Sequence, residues 1–239
     1  MDSIIIFFTF FFGLVFGSFF NVVIYRLPKG LSLIKPGSHC PRCNHRLSAV
    51  ELIPVFSYLW QRGKCKSCGE RIHWRYPFLE LLTGVGFVLV AWTSSGLTDL
   101  LSGLVFFSLL LVLAFIDLDH KVLPNVLTLP GLVLGLIFSL LGWTIPVVHS
   151  LVGAVLGFGV ITLIVLVSKG GMGMGDAKLM ALIGSFLGWI PVFYVIFWAS
   201  ALGAVVTIIY LYLTKQDRKT PVPFGPFLAV AALAYFFFV

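Results

Sequence analysis

The 239-residue chain is 59% hydrophobic and only 10% charged, with a mean hydropathy of +1.07. Soluble domains carry about 25% charged residues, so a soluble globular class is excluded and a polytopic membrane protein is expected. The net charge of +7 forms no basic stripe interleaved with aromatics; it fits membrane orientation and contact with anionic lipid and argues against nucleic acid as a partner.

Eight apolar segments follow one another, at residues 3–24, 77–93, 100–116, 126–142, 145–167, 177–187, 192–214 and 223–239. Each is read as a helix, giving an all-α polytopic fold of about eight transmembrane helices. The first lacks a basic n-region and a small-x-small cleavage site, and its apolar run is too long for a signal peptide; it is read as a retained helix. The sixth is short for a span of about 20 residues, which leaves room for a tilted or partly re-entrant element there. Turn signals punctuate the series at Ser94-Ser95-Gly96, Gly142 with Pro146, Gly170-Gly171, Pro191, and Pro221 with Pro223. No internal repeat or low-complexity linker is evident.

All sixteen Lys and Arg residues fall in loops on one side of this series. Ten lie between Arg26 and Arg75, and the others are Lys121, Lys169, Lys178, Lys215, Arg218 and Lys219. The opposite loops, 94–99, 143–149 and 188–191, carry none. The positive-inside rule then places the N-terminus outside and every Asp except Asp2 and Asp99 at the cytoplasmic face.

The polar stretch 27–76 holds all four cysteines, as Cys40-Pro-Arg-Cys43 and Cys65-Lys-Ser-Cys68. Paired CxxC turns at this separation match a four-cysteine zinc ribbon, each presenting two thiolates to one tetrahedral centre. Asn44 and Gly69 suit the tight turns, and nearby Arg and Lys residues offset the thiolate charge. A segment with so little apolar core needs such a staple. Disulfides are disfavoured in the cytoplasm, and a redox CxxC lacks its βαβ context here. Iron in the same thiolate site is the alternative metal.

Ionisable groups at the ends of spans are costly and are therefore functional candidates. Glu80 lies one turn into the second helix, Asp117 and Asp119 end the third, and Asp176 opens the sixth behind Gly171, Gly173 and Gly175. Asp176 could act as a plain helix cap, and Asp117 could simply end a helix near water. Capping leaves the three glycines unexplained, since they cost chain entropy and serve close backbone approach. On one membrane face the two aspartates suggest a carboxylate dyad. One stays protonated and donates to a peptide carbonyl, while the ionised one draws a proton from the attacking water. No phosphate-binding glycine loop, nucleophile elbow or HExxH helix competes.

Several segments together resemble the type IV prepilin leader peptidases, which are also prepilin N-methyltransferases. The stretch from Gly17-Ser-Phe-Phe-Asn21 to Arg26-Leu-Pro28 is similar to the family's GSFxNVxxxRxP segment. The paired CxxC turns and Arg75-Tyr-Pro-Phe-Leu-Glu80 follow. Asp117-Leu-Asp-His-Lys-Val-Leu-Pro-Asn125 resembles the first aspartate motif, Gly173-Met-Gly-Asp176 the GxGD motif, and Pro223-Phe-Gly-Pro-Phe227 the closing PFGPF. Asn125 stands where many relatives have Asp, and Glu51-Leu-Ile-Pro54 departs from the common Asn-Ile-Pro form.

The resemblance implies a bifunctional enzyme of the bacterial inner membrane. As an intramembrane aspartyl endopeptidase it would cut the leader of type IV prepilins or pseudopilins after a Gly at the cytoplasmic face. It would then methylate the new N-terminus with S-adenosylmethionine. Asp117 and Asp176 are the implied catalytic pair, supported by Gly173, Gly175 and the runner-up Asp119. Asn21, Arg26, Glu51, Arg75 and Glu80 are candidates for methyl transfer, although Arg26 could equally be an interfacial anchor and Glu80 a buried ion-pair partner. The implied division is a first helix, 1–26, a cytoplasmic zinc domain associated with methyl transfer, 27–76, and a transmembrane peptidase, 77–239. Two other classes compete: a transporter, which would place its acids near the bilayer midplane, and a zinc-loop adaptor merely anchored by the helices.

Overall fold

The computed structural model describes residues 3–168, 172–214 and 222–239. The turn at Gly170-Gly171, together with Gly-preceding Lys169, Lys215, Arg218, Lys219 and Pro221, lies outside the described residues. Nine α-helices and no strand occur among the described residues. They are α1 (Ser3–Arg26), α2 (Phe56–Trp60), α3 (Arg75–Thr93), α4 (Leu97–His120), α5 (Asn125–Leu140), α6 (Val147–Val167), α7 (Met174–Leu187), α8 (Trp189–Thr214) and α9 (Gly225–Phe238). All eight apolar segments are helical. Helices α1, α3, α4, α6 and α8 are long and apolar enough to cross a membrane, while α5 and α9 are shorter apolar helices. Lys178, expected in a loop, sits within α7.

The chain divides into two compact units, Met1–Thr93 and Ser94–Val239. In the first, α1 and α3 pack antiparallel along a seam of small residues. A Cβ on Gly17 would lie 2.7 Å from the Glu80 Cα, and one on Gly13 2.7 Å from the Gly84 Cα. Lipid tails are as apolar as Leu, so close backbone approach and dispersion contacts, more than burial from water, hold such a pair together. Phe7, Phe8 and Phe19, away from the seam on α1, remain exposed, as lipid-facing side chains would be.

The second unit is built around α7. Ten of its fourteen residues, from Asp176 to Phe186, are buried. Helices α5, α6, α8 and α9 pack on it, and α4 reaches it through stacked Phe106 and Phe186 rings 4.8 Å apart. The α6–α7 crossing is tight: a Cβ on Gly184 would strike the Gly153 carbonyl oxygen, and one on Gly157 would lie 2.6 Å from the Met180 oxygen. Ser150 Oγ donates to the Ser185 carbonyl across the same crossing at 2.5 Å. The short sixth segment is therefore a core helix sheathed in protein.

Overpacking this crossing is expected to be costly. Gly184→Val should destabilise the protein by about 3 kcal/mol, read as a lower midpoint of thermal unfolding in detergent micelles. Gly159→Ala, where a Cβ meets nothing within 4 Å, should leave that midpoint unchanged.

Candidate functional site

Asp117 lies in the last turn of α4 and Asp176 in the first turn of α7; both are buried, and close enough to interact electrostatically. Each carboxylate faces the N-terminus of a helix. Gly225 N–H, at the start of α9, donates to Asp117 Oδ2 at 2.9 Å. Gly173 N–H, just before α7, donates to Asp176 Oδ2 at 3.2 Å. Unpaired amides and the helix dipole favour negative charge at both places. The other oxygen of each carboxylate has no protein donor among the described residues.

The surrounding glycines have separate reasons. A Cβ at Gly225 would sit 2.7 Å from Asp117 Oδ2, so only glycine lets the α9 amide reach the carboxylate. At Gly175 a Cβ would come 3.1 Å from the Leu123 Cβ, so the α4–α5 loop packs directly over the start of α7. Lys178 Nζ donates to Asn125 Oδ1 at 2.8 Å and ties α7 to the start of α5. Asp119 is exposed, about 200° around α4 from Asp117, and is not held beside the pair by any of these contacts. An apolar groove of about 370 Å³ has Met172, Ile161, Ile196, Phe224 and Phe227 in its walls. Met172 and Phe224 immediately precede the glycines that bond the two carboxylates.

The four cysteines of the first unit converge. Their sulfurs all lie within 4.8 Å of one another, with Cys40–Cys68 at 3.8 Å and Cys43–Cys65 at 3.9 Å. A disulfide needs about 2.05 Å, whereas a tetrahedral ion with bonds of about 2.3 Å separates its sulfurs by about 3.8 Å. The thiols fit a metal. The amides of Cys43 and Arg42 lower the Cys40 thiol to about 6. At Cys68 the Glu70 amide lowers the thiol, but lost solvation and the other three sulfurs outweigh it and push it up to about 12. Four sulfurs this close cannot all ionise without a cation among them.

The two knuckles repeat one another. Cys40 N–H donates to His45 O at 2.9 Å and Asn44 N–H to Cys40 O at 2.9 Å; Cys65 N–H donates to Glu70 O at 2.8 Å and Gly69 N–H to Cys65 O at 2.9 Å. Asn44 and Gly69 share the left-handed backbone, at φ 57° and 71°. This local repeat escaped the sequence reading because little recurs in it beyond Cys and Arg. Arg42 and Glu70 join the knuckles through a 2.8 Å ion pair.

The methyl-transfer candidates separate into three places. Asn21 Nδ2 donates to the Tyr76 carbonyl at 3.2 Å, one turn before buried Glu80. Glu80 Oε2 accepts the Val55 N–H at 2.7 Å. Val55, at φ 62° and ψ −50°, is the centre of a γ-turn closed by Phe56 N–H to Pro54 O at 2.6 Å, a conformation that costs a β-branched residue about 1–3 kcal/mol. Glu51 instead sits beside the cysteine cluster, accepting from Ser48 N–H at 2.9 Å and His45 Nε2 at 3.3 Å. Ser48 first, then His45, hold its carboxyl down at about 2. Arg26 donates to the Ser32 carbonyl at 3.0 Å, and Arg75 begins α3.

Comparison with known proteins meets this geometry from both ends. Residues 11–94 match the bacterial peptidase A24 N-terminal domain, and residues 104–208 match the type IV leader peptidase family. The chain is similar to the prepilin leader peptidase/N-methyltransferase of Aeromonas salmonicida, 40% identical over 253 residues that cover 93% of this chain and 87% of that protein. The protein of that name from Neisseria gonorrhoeae is 39% identical over 253 residues, 94% and 87% of the two chains. The one from Pseudomonas aeruginosa is 40% identical over 248 residues, 92% and 85%. The chain belongs to the type IV leader peptidase family. No solved structure matches it.

The residues around the two aspartates that the sequence reading did not single out as site residues are Gly225, Lys178 and Asn125. Gly225 carried a signal, a glycine between Phe224 and Pro226 that opens a helix, but its partner lies 108 residues away. Gly225→Ala should lower peptidase activity at least tenfold while circular dichroism shows unchanged helix content, because the added methyl displaces Asp117. The purified leader peptidase should also carry one metal ion per chain by elemental mass spectrometry, and Cys43→Ser should lose it.

Proposed function

We propose that the protein is a bifunctional enzyme that removes the leader of type IV prepilins or pseudopilins after a Gly at the cytoplasmic membrane face and then N-methylates the new N-terminus. The observation that carries the peptidase half is the buried Asp117–Asp176 pair, with each carboxylate held by the amide of a helix start. In this reading one carboxyl keeps its proton, because two such groups at close range resist joint ionisation. The ionised carboxylate takes a proton from a water as that water attacks the scissile carbonyl. The protonated one donates to the carbonyl oxygen. Gly225 and Gly173 fix one oxygen of each carboxylate and leave the other for water and peptide. Gly173 and Gly175 give an extended backbone room to approach, and the groove beneath Phe224 and Met172 offers an apolar substrate side chain a seat.

Zinc is the assigned metal, held by Cys40, Cys43, Cys65 and Cys68, and its part is to fold the polar loop. S-adenosylmethionine, when bound, supplies the methyl group. Asn21, Arg26, Glu51, Arg75 and Glu80 are proposed to position it or the acceptor amine, with Asn21 and Glu80 favoured because both line the α1–α3 seam. Residues 27–76 are assigned to methyl transfer and the helices after them to proteolysis. The enzyme is placed in the bacterial inner membrane with its N-terminus outside, as the positive-inside rule orients the loops. A transporter reading has less support, since both acids stand at helix ends.

Mass spectrometry of a prepilin incubated with the purified protein in lipid tests both halves. Wild type should remove the leader after Gly and, with S-adenosylmethionine, add one methyl group. Asp117→Asn and Asp176→Asn should each reduce cleavage at least a thousandfold while remaining folded. Full cleavage by either variant would remove the pair from the mechanism.

A further inference from the structure

The stretch 53–60 lies in the polar loop by sequence, but its contacts put it alongside the membrane span. The α1–α3 seam gives a depth scale. Asn21 pairs with Tyr76, Gly17 with Glu80 and Gly13 with Gly84, in antiparallel register. Arg75, the first residue of α3, marks the polar end of the seam. Val55 is held by Glu80, more than a turn inside that end, through the 2.7 Å bond to its amide. Phe56 goes further: its ring lies parallel to that of Phe11, with centroids 6.4 Å apart. Phe11 is ten residues beyond Asn21 in α1, about 15 Å along the helix.

Around this contact the segment shows an apolar face that is largely uncovered by protein. Ile53, Phe56, Leu59 and Trp60 recur at helical spacing and are 46%, 55%, 65% and 91% exposed. Through Phe11, whose ring centroid is also 4.6 Å from that of exposed Phe7, the face joins the surface of α1, an apolar helix of membrane length. The chain then leaves by Gln61, Arg62, Gly63 and Lys64. Gly63 N–H bonds the Tyr58 carbonyl at 2.8 Å and Ile72 N–H bonds Gly63 O at 2.7 Å, so the return toward the second knuckle is anchored. The Val55 amide is satisfied by the Glu80 carboxyl, which suits a place where no water can take that hydrogen bond.

We propose that residues 53–60 form a membrane-inserted loop, with Phe56 and Leu59 against lipid acyl chains and Trp60 at the level where chains meet headgroups. The four-cysteine domain is thereby clamped to the bilayer surface from a second point besides α1 and α3. This proposal is independent of the catalytic reading.

Photo-cross-linking of the full chain in phosphatidylethanolamine/phosphatidylglycerol vesicles tests it. A benzophenone amino acid replaces Leu59 or Trp60, with Phe7 as the lipid-facing reference and Lys66, exposed in the second knuckle, as the aqueous one. Lipid adducts at 59 and 60 should match those at 7 within about threefold and exceed those at 66 at least tenfold. Adducts at the level of position 66 would overturn the insertion, as would cross-links to a second copy of the chain or to an added apolar peptide in place of lipid. Should these variants misfold, the unlabelled protein serves. The fluorescence difference between wild type and Trp60→Phe should be quenched at least twofold by lipids brominated near the headgroup, and an unquenched difference would equally overturn the proposal.

Discussion

The second unit depends on a close backbone crossing, in which Gly153 and Gly184 leave no room for a side chain between α6 and α7. In a bilayer, apolar side chains gain little by choosing protein over lipid, so contact distance decides which helices associate. Glycine at both sides of the crossing lets α7 sink to the centre of the unit. That placement brings Asp176 beside the end of α4, where Asp117 waits. A buried carboxylate is tolerable only with donors aimed at it, and the starts of α7 and α9 provide them through Gly173 and Gly225. Packing is thus solved by one set of glycines, Gly153 and Gly184, and electrostatics by another, Gly173 and Gly225.

The first unit solves a different problem. Between α1 and α3 runs a polar stretch with few buried apolar residues; of its side chains, Cys40 and Cys65 are among the buried ones. Four thiols at tetrahedral spacing allow a metal ion to replace the missing core. The Arg42–Glu70 pair is exposed and adds little by itself. Glu80 ties this stretch to the helices through one amide, at the cost of a strained turn at Val55.

How far the sequence could be read depended on whether partners were local. The helices were legible because each apolar run states its own length, and the metal site because both halves of it are CxxC turns. Asp117 and Asp176 were picked out as two of the few acids near helix ends, their common face suggested a dyad, and the family resemblance supplied its substrate. The sequence showed that the sixth segment is short, but not that neighbouring helices bury it, since hydropathy counts apolar residues without telling lipid from protein. The Gly225–Asp117 and Glu80–Val55 contacts were illegible for another reason. Each is a single hydrogen bond between residues far apart in the chain, and nothing at either end alone requires the other.

The burial of α7 also bears on how the protein is made. Its fourteen residues rise about 21 Å, short of a hydrocarbon layer of about 30 Å, and its first turns hold Asp176 and Lys178. Such a segment has little tendency to leave the translocation machinery for lipid by itself. It reaches the centre of the unit only if α6 or α8 carries it in and the Gly153 crossing is there to receive it. For this helix, membrane insertion and tertiary folding are one event, so a defect in packing would be seen first as a defect in topology.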